Sequence, residues 1–333
     1  MFTPEVSIII PCYNRAHIIK DTLNSVLNQS YKNWECVIVD DGSTDDSLIV
    51  LEHYKKLDSR FRYYNRPEQA VKGSSSCRNI GIKKSKGKYI IFLDSDDLLA
   101  FDSLENRVMC FKETPQFDFL VFQMEIFHEE IPDLKLKQGK QNLMSHKEIF
   151  NSFLRMRSEW QITCPIYKAD FVKKIGGFSE SLKIFTDLEL GLRATYFSNS
   201  YQLYPIIDCF YRNDENYVTK RKTKTFLQKA GDSFYNYCLL FDKNIIGSTN
   251  SNEKKETLKR SFLMNYKKFF KTYVLVEMPL LFEQNKKILR YLIKQNYLTK
   301  SEKIRFSIVT DILLKAYKIK GFGLFRIINK LMQ

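Results

Sequence analysis

Three short apolar runs, each ending on a polar turn rich in carboxylate or aromatic side chains, constrain this chain more than any other feature. Residues 6–11 are β-branched and continuous and run into Pro11-Cys12-Tyr13-Asn14-Arg15; residues 34–39 run into Asp40-Asp41-Gly42-Ser43; residues 89–93 run into Asp94-Ser95-Asp96-Asp97. An apolar run without polar alternation reads as a strand covered on both faces. A shorter run, 61–64, adds a fourth strand. Between them, Ile18, Ile19, Leu23, Val26 and Leu27 recur at helical spacing over 17–28. Ser43-Thr44-Asp45-Asp46 has the form of a capping box opening a helix to about residue 56, and 75–85 reads as a third helix. Strands alternating with helices predict an α/β chain with a doubly wound, mainly parallel sheet.

From about 101 to 212 the pattern is mixed. Residues 117–127 and 162–167 read as extended, 147–155 as helical, Gly176-Gly177 as a turn, and 187–197 as a helix. Past Arg212 come Lys-rich segments of helical periodicity, at 225–246, 253–276, 283–296 and 302–332. The expected division is therefore a catalytic domain over 1–212, with halves meeting near 100 (1–100 and 101–212), and a basic, mainly helical region over 213–333.

Charge follows that division. The chain carries +15 overall, yet residues 217–333 hold 25 Lys and Arg against 8 Asp and Glu, while the first 216 hold 28 against 30. The segment 302–332 interleaves Lys303, Arg305, Lys315, Lys318, Lys320, Arg326 and Lys330 with apolar residues, the pattern of a helix lying on an anionic bilayer. The competing expectation is that its apolar face packs on the rest of the chain or on a second copy in a homodimer. No run approaches the roughly 18 apolar residues of a membrane span, and the start lacks a secretory pattern. The expected location is cytoplasmic, peripheral at the inner face of the membrane. Seven scattered cysteines without a C-x-x-C pair suit reduced, buried thiols, and the four histidines lack metal-ligand spacing.

Ligands of an open α/β sheet bind outside the carboxyl ends of its strands, where the three polar turns fall. Tyr13 can stack on a base and Asp41 can accept from a ring N–H. Neither a G-x-G-x-x-G nor a P-loop glycine pattern is present to cradle phosphates. Asp94 and Asp96 can hold a divalent cation that does so, because Mg²⁺ and Mn²⁺ use one or two carboxylates together with substrate phosphates. Three aspartates alone would read as a solvated cap; two further equipped strand ends shift the balance.

The ordered set Val6 to Arg15, Val39 to Thr44, Cys77-Arg78-Asn79-Ile80-Gly81, Gly87 to Asp97, Gly176-Gly177-Phe178 and Thr186 to Arg193 resembles the inverting family 2 glycosyltransferases of GT-A fold, of the type that builds bacterial surface polysaccharides. The resemblance covers residues 5 to about 212. It implies that Pro11, Tyr13, Asn14, Asp41, Arg78, Asp94 and Ser95 bind a nucleotide diphosphate sugar, with a uridine nucleotide favoured. It also implies that Asp96 and Asp94 form the D-x-D metal pair, served by Mn²⁺ or Mg²⁺, and that Asp187 is the catalytic base. Thr186 stands where the family's pattern has Glu.

Independent chemistry supports one base. A metal-bound nucleotide diphosphate leaves without a general acid, so what remains is a carboxylate to take the proton of an acceptor hydroxyl on a glycan or lipid-linked acceptor. Asp187 at a helix start could equally be a cap. Glu189 is the second candidate, set against a partnership with Arg193 at i, i+4. Arg15, Arg66 and Lys72 are weaker candidates for phosphate, and Trp160 for an acceptor pocket. A sugar nucleotidyltransferase would need a Gly-rich loop after the first strand, and a catalytically inactive GT-A-like binding protein would have no need of the carboxylates. Nucleic acid is not an expected partner: acidic strand ends repel phosphate, and no reader motif is present.

Overall fold

The computed structural model describes residues 3–198, 200–213, 223–274 and 278–316. Four strands, β1 (Val6–Cys12), β2 (Trp34–Asp40), β3 (Phe61–Asn65) and β4 (Tyr89–Phe92), lie parallel in the order β3-β2-β1-β4. Every residue of β1, β2 and β4 is buried, as mainly apolar runs lead one to expect, and the polar exceptions Ser7 and Glu35 satisfy each other at 2.6 Å. The crossovers are α1 (Ile19–Leu27), α2 (Ser47–Leu57) and α3 (Ser74–Lys84). The capping-box expectation fails in detail. Helix α2 starts at Ser47, whose backbone N–H is capped by Asp45 at 3.0 Å, because Ser43 donates its hydroxyl to Asp40 instead.

Beyond β4 the sheet continues through β8 (Pro165–Lys168), β6 (Phe119–Phe127), β9 (Tyr201–Arg212) and β5 (Leu98–Leu99), with β7 (Lys137–Gln138) also on β9. This half is mixed: β8 runs antiparallel to both β4 and β6, while β6 and β9 are parallel. Strand β9 was not anticipated, since Pro205 and Asp208 argue against a strand. The register slips between Val121 and Gln123 of β6, where the partner jumps from Leu203 to Ile207, and Pro205 falls in that irregular stretch. Asp208 is fully buried and is neutralised by Arg107 of α4 (Ser103–Glu113), with Nε–Oδ2 and Nη2–Oδ1 both at 2.6 Å. Two further helices, α5 (His146–Leu154) and α6 (Ala169–Lys174), precede α7 (Thr186–Phe197). All seven cysteines are free and buried.

Helix α3 packs on the sheet through Gly81. A β-carbon there would sit 2.3 Å from Cγ2 of Ile9 in the middle of β1, so Gly81→Ala must push helix and strand apart. The expected loss is about 1–3 kcal/mol of unfolding free energy, read from denaturant melts. An unchanged midpoint would show that α3 does not sit this close.

The chain divides into two compact units. The first comprises Met1–Phe150, Ser158–Glu180 and Thr186–Glu215; the second comprises Asn151–Arg157, Ser181–Phe185 and Asn216–Gln333. The second unit contains α8 (Lys224–Phe241), α9 (Asn252–Phe269), α10 (Met278–Lys294) and α11 (Lys300–Ala316), with π-helical turns at Asp242–Ile246 and Phe270–Val274. Its core is aromatic: Phe234 stacks on Phe269 at 4.3 Å and Phe241 on Phe262 at 4.1 Å. The Asp242 carboxylate accepts from the hydroxyls of Tyr291 and Tyr297, fastening α10 and the turn after it to the end of α8. Residues 317–332 of the basic amphipathic segment lie outside the described residues.

Candidate active site

At the end of β2 the two aspartates divide their work. Asp40 turns the chain: its Oδ2 accepts from the N–H groups of Gly42 at 2.9 Å and Ser43 at 2.8 Å. Asp41 is thereby left to face the cleft. It accepts from Arg66 Nε and, at 3.1 Å, from the N–H of Gly73.

After β1, Asn14 adopts a left-handed backbone with φ of 52°, which Asn tolerates better than most residues. Its side-chain oxygen accepts from Thr44 N at 2.8 Å and its own N–H donates to Ser43 at 2.9 Å, so it straps the first strand end to the second. The strap leaves the Tyr13 ring 42% exposed, with Lys72 Nζ 4.3 Å from its centre. Asn14 shapes the site by joining two of its turns and is not among the residues that line the cavity.

The turn after β4 concentrates negative charge. Asp97 is buried, accepting from Thr163 Oγ1 at 3.0 Å and Arg212 N at 3.2 Å. Burial and the neighbouring Asp94 and Asp96 push its carboxyl well above the ordinary value. Burial, then Asp94, also raises Asp96. Arg15 Nη2 stands 3.5 Å from Asp96 Oδ2, and Arg212 Nε donates to the Asp96 carbonyl at 3.2 Å.

Arg78, on the first turns of α3, joins this turn to a remote helix. Its Nη2 donates to Asp94 Oδ1 and its Nη1 lies 4.0 Å from Asp187 Oδ1. Burial disfavours the Arg78 cation, but Asp94 and Asp187 outweigh it and the group stays charged. Asp187, the second residue of α7, accepts from the Thr186 hydroxyl at 3.1 Å. Its recess raises its carboxyl above the usual range, with Arg78 opposing and Asp94 adding to the rise.

Glu189 is placed elsewhere. It is 4% exposed and chelates Arg193 through Oε1–Nε at 2.7 Å and Oε2–Nη2 at 2.5 Å. Arg193 in turn donates to the carbonyls of Ile175 and Gly177. The i, i+4 partnership is thus what the structure shows, buried rather than exposed, with both Glu189 oxygens turned to Arg193. Gly177 has φ of +61° and no room for a β-carbon, which would meet Asn79 Oδ1 at 2.6 Å. This turn carries Phe178, whose ring lies 5.0 Å from the Arg78 guanidinium carbon.

A cavity of about 320 Å³ gathers Pro11, Tyr13, Asp41, Arg78, Asp94, Ser95 and Asp96, as the sequence led us to expect, together with Arg15. Cys12 and Ser74 also line it; their ordinary residue types gave no signal. Asp187 reaches this wall through Arg78, from more than 90 residues further along the chain. Of the weaker phosphate candidates, Arg66 donates to Asp41 and Lys72 Nζ lies over the Tyr13 ring.

Among the described residues no three His, Cys, Asp or Glu side chains form a complete metal cage. Asp94 and Asp96 nevertheless fit a divalent ion that shares its coordination with a phosphate ligand. They are two carboxylates on one open cavity, where burial first and the Asp94 charge second raise Asp96, and a cation would offset the charge the two bring together.

Residues 7–171 match the profile of Glycosyl transferase family 2. Over 105 residues the chain is 42% identical to TuaG of Bacillus subtilis, a glycosyltransferase provisionally assigned to teichuronic acid biosynthesis, covering 32% of this chain and 41% of TuaG. The chain spans less than half the length of the curated relatives it matches at 42–45% identity. Among solved structures it is similar to Staphylococcus aureus TarS 1-349 in complex with UDP-GlcNAc, with TM-score 0.66, 17% identity, and 94% of this chain and 91% of that one covered. It is also similar to the mannosyltransferase PcManGT of Pyrobaculum calidifontis in complex with GDP-Man and Mn²⁺, with TM-score 0.53, 14% identity, and coverage of 99% and 85%.

Proposed function

We propose, for a chain that belongs to glycosyl transferase family 2 through residues 7–171 and has the GT-A fold, that its first unit moves a sugar from a nucleoside diphosphate sugar onto an acceptor hydroxyl with inversion. The observation that carries this reading is Arg78, which ties Asp94 at the end of β4 to Asp187 of α7 on the cavity that Tyr13 and Asp41 also line. Tyr13 offers a ring face to the base, and Asp41 accepts from a ring N–H. Arg15 and Arg78 supply positive charge for the diphosphate. Asp187 takes the proton from the acceptor hydroxyl as it attacks the face opposite the leaving group. Asp96 and Asp94 would hold a Mn²⁺ or Mg²⁺ ion, which when bound stabilises charge on the departing diphosphate. The UDP-GlcNAc of TarS and the Mn²⁺ of PcManGT support a uridine nucleotide donor and a divalent ion here. TuaG supports a role in cell-surface polysaccharide or glycolipid assembly.

A screen of nucleotide sugars with Mn²⁺ or Mg²⁺, following donor hydrolysis and transfer, tests the reading, and inactivity with every donor would contradict it. The raised carboxyl of Asp187 sets the pH dependence. The base form is lost as pH falls through a value above that of an ordinary Asp, so kcat/KM should begin to fall at a pH where free aspartate is still ionised. A rate that is flat down to pH 4 would remove Asp187 as the base.

The reading extends to an anionic membrane surface. No described helix is long and apolar enough to cross a bilayer. On α11, Ile304 and Ile308 are 62% and 46% exposed beside the exposed Arg305, a surface suited to shallow insertion. The full chain should float with anionic liposomes at low salt and detach as salt rises; failure to float at low salt would rule this out.

A further inference from the structure

A second cavity, about 400 Å³, opens in the first unit, within the roughly 300–1,000 Å³ range of small-molecule sites. It forms where β6 loses a neighbour. Strand β8 pairs with β6 as far as Val121, the Phe122 N–H still donates to the Cys164 carbonyl at 3.1 Å, and beyond that bond lies a space walled by Trp160. On the other side Phe122 of β6 stacks on Tyr204 of β9, centroids 5.1 Å apart and planes 8° from parallel. Gln123 exchanges two hydrogen bonds with the backbone of Lys140, at 2.8 and 2.9 Å, and so fixes the loop that closes the remaining side.

Register places this cavity beside the active site. Ile91 of β4 pairs with Ile166 of β8, and Ile166 with Leu120 of β6. The residues just beyond each pairing, Asp94 on one strand and Phe122 on the other, therefore emerge at the same edge of the sheet. Thr163, which lies between the lining residues Gln161 and Cys164, donates to Asp97 at 3.0 Å and so links the two sites.

Resting on the transferase reading above, we propose that this cavity binds a neutral sugar unit of the acceptor. A pyranose offers an apolar C–H face and a rim of hydroxyls that both donate and accept. Aromatic side chains match the face. Carboxamides, with donor and acceptor on one group, match the rim. Asn142 and Gln161 line the cavity, and among the described residues their side-chain amides have no hydrogen-bond partner. The lining contains one basic residue, Lys140, too little for a phosphorylated ligand, and its amides are out of place against a lipid chain.

The chain's two tryptophans make the test direct. Trp34 is fully buried, covered by Arg60 at 3.8 Å, so ligand-dependent emission reports Trp160. The full-length protein is titrated to roughly 10 mM with glucose, galactose, N-acetylglucosamine and their β-linked disaccharides, while UDP binding is measured in parallel by calorimetry. At least one sugar should change the emission saturably, Trp160→Phe should abolish the signal, and Gln161→Ala or Asn142→Ala should weaken binding about five- to tenfold with UDP affinity unchanged. No response to any sugar, a response that survives in Trp160→Phe, or sugar affinity indifferent to both amide changes would overturn the proposal. If UDP failed to bind while the sugar response persisted, the nucleotide-sugar reading would fall and the saccharide site would stand.

Discussion

Asp187→Asn should lower the rate of sugar transfer by about 10²- to 10⁴-fold, the range that a lost general base removes, and should leave UDP affinity close to that of the native protein. The amide keeps the size and the Thr186 contact of the carboxylate but cannot take a proton. Its neighbour Arg78 keeps Asp94 as an ion-pair partner, so the donor side of the cavity should hold its shape. Steady-state transfer and calorimetric UDP titration separate the two effects. Near-normal transfer would take the base away from Asp187; UDP affinity lost together with activity would make Asp187 a donor-binding group.

Asp208→Asn should be the most destabilising single change in the first unit. It leaves the fully buried guanidinium of Arg107 with one amide in place of a carboxylate, held otherwise by the Thr163 carbonyl at 3.0 Å. Breaking a buried pair by removing one partner costs about 3–5 kcal/mol, a large share of the roughly 5–15 kcal/mol that holds a domain together. Replacing both members, as Arg107→Met with Asp208→Leu, should recover much of that loss. Urea unfolding measures both. A single variant within about 1 kcal/mol of the native protein would show that solvent reaches the pair.

The parallel half of the sheet was legible because strands buried on both faces read as mainly apolar runs, as residues 6–11, 34–39 and 89–93 do with only Ser7 and Glu35 interrupting. Strand β9 was hidden because its Asp208 is satisfied by Arg107, a partner 101 residues away, and its Pro205 by a slip in register. Helix α4 was missed although Leu104, Val108 and Phe111 recur at helical spacing; Arg107 interrupts the stripe and is itself buried. Glu189 and Asp187 sit two apart on one helix, and Glu189 stood as the second candidate for the base behind Asp187. Side-chain direction separates them, since one points at Arg193 and the other at Arg78. Asn14 was legible as part of an equipped turn, but only the left-handed backbone and the Thr44 bond show that it holds two turns together. Sequence order placed the carboxylates along the chain; their meeting at Arg78 is a fact of three dimensions.

On the proposed reading, one cavity, lined by Tyr13, Asp41 and the Asp94 to Asp96 turn, receives a nucleoside diphosphate sugar. Titration of UDP in the presence of Mn²⁺ into the native protein and into the Asp41→Asn, Asp96→Asn and Asp187→Asn variants tests it most directly. Saturable binding that weakens at least about tenfold in the first two variants and persists in the third is the predicted result. UDP affinity indifferent to Asp41 and Asp96 alike would contradict it.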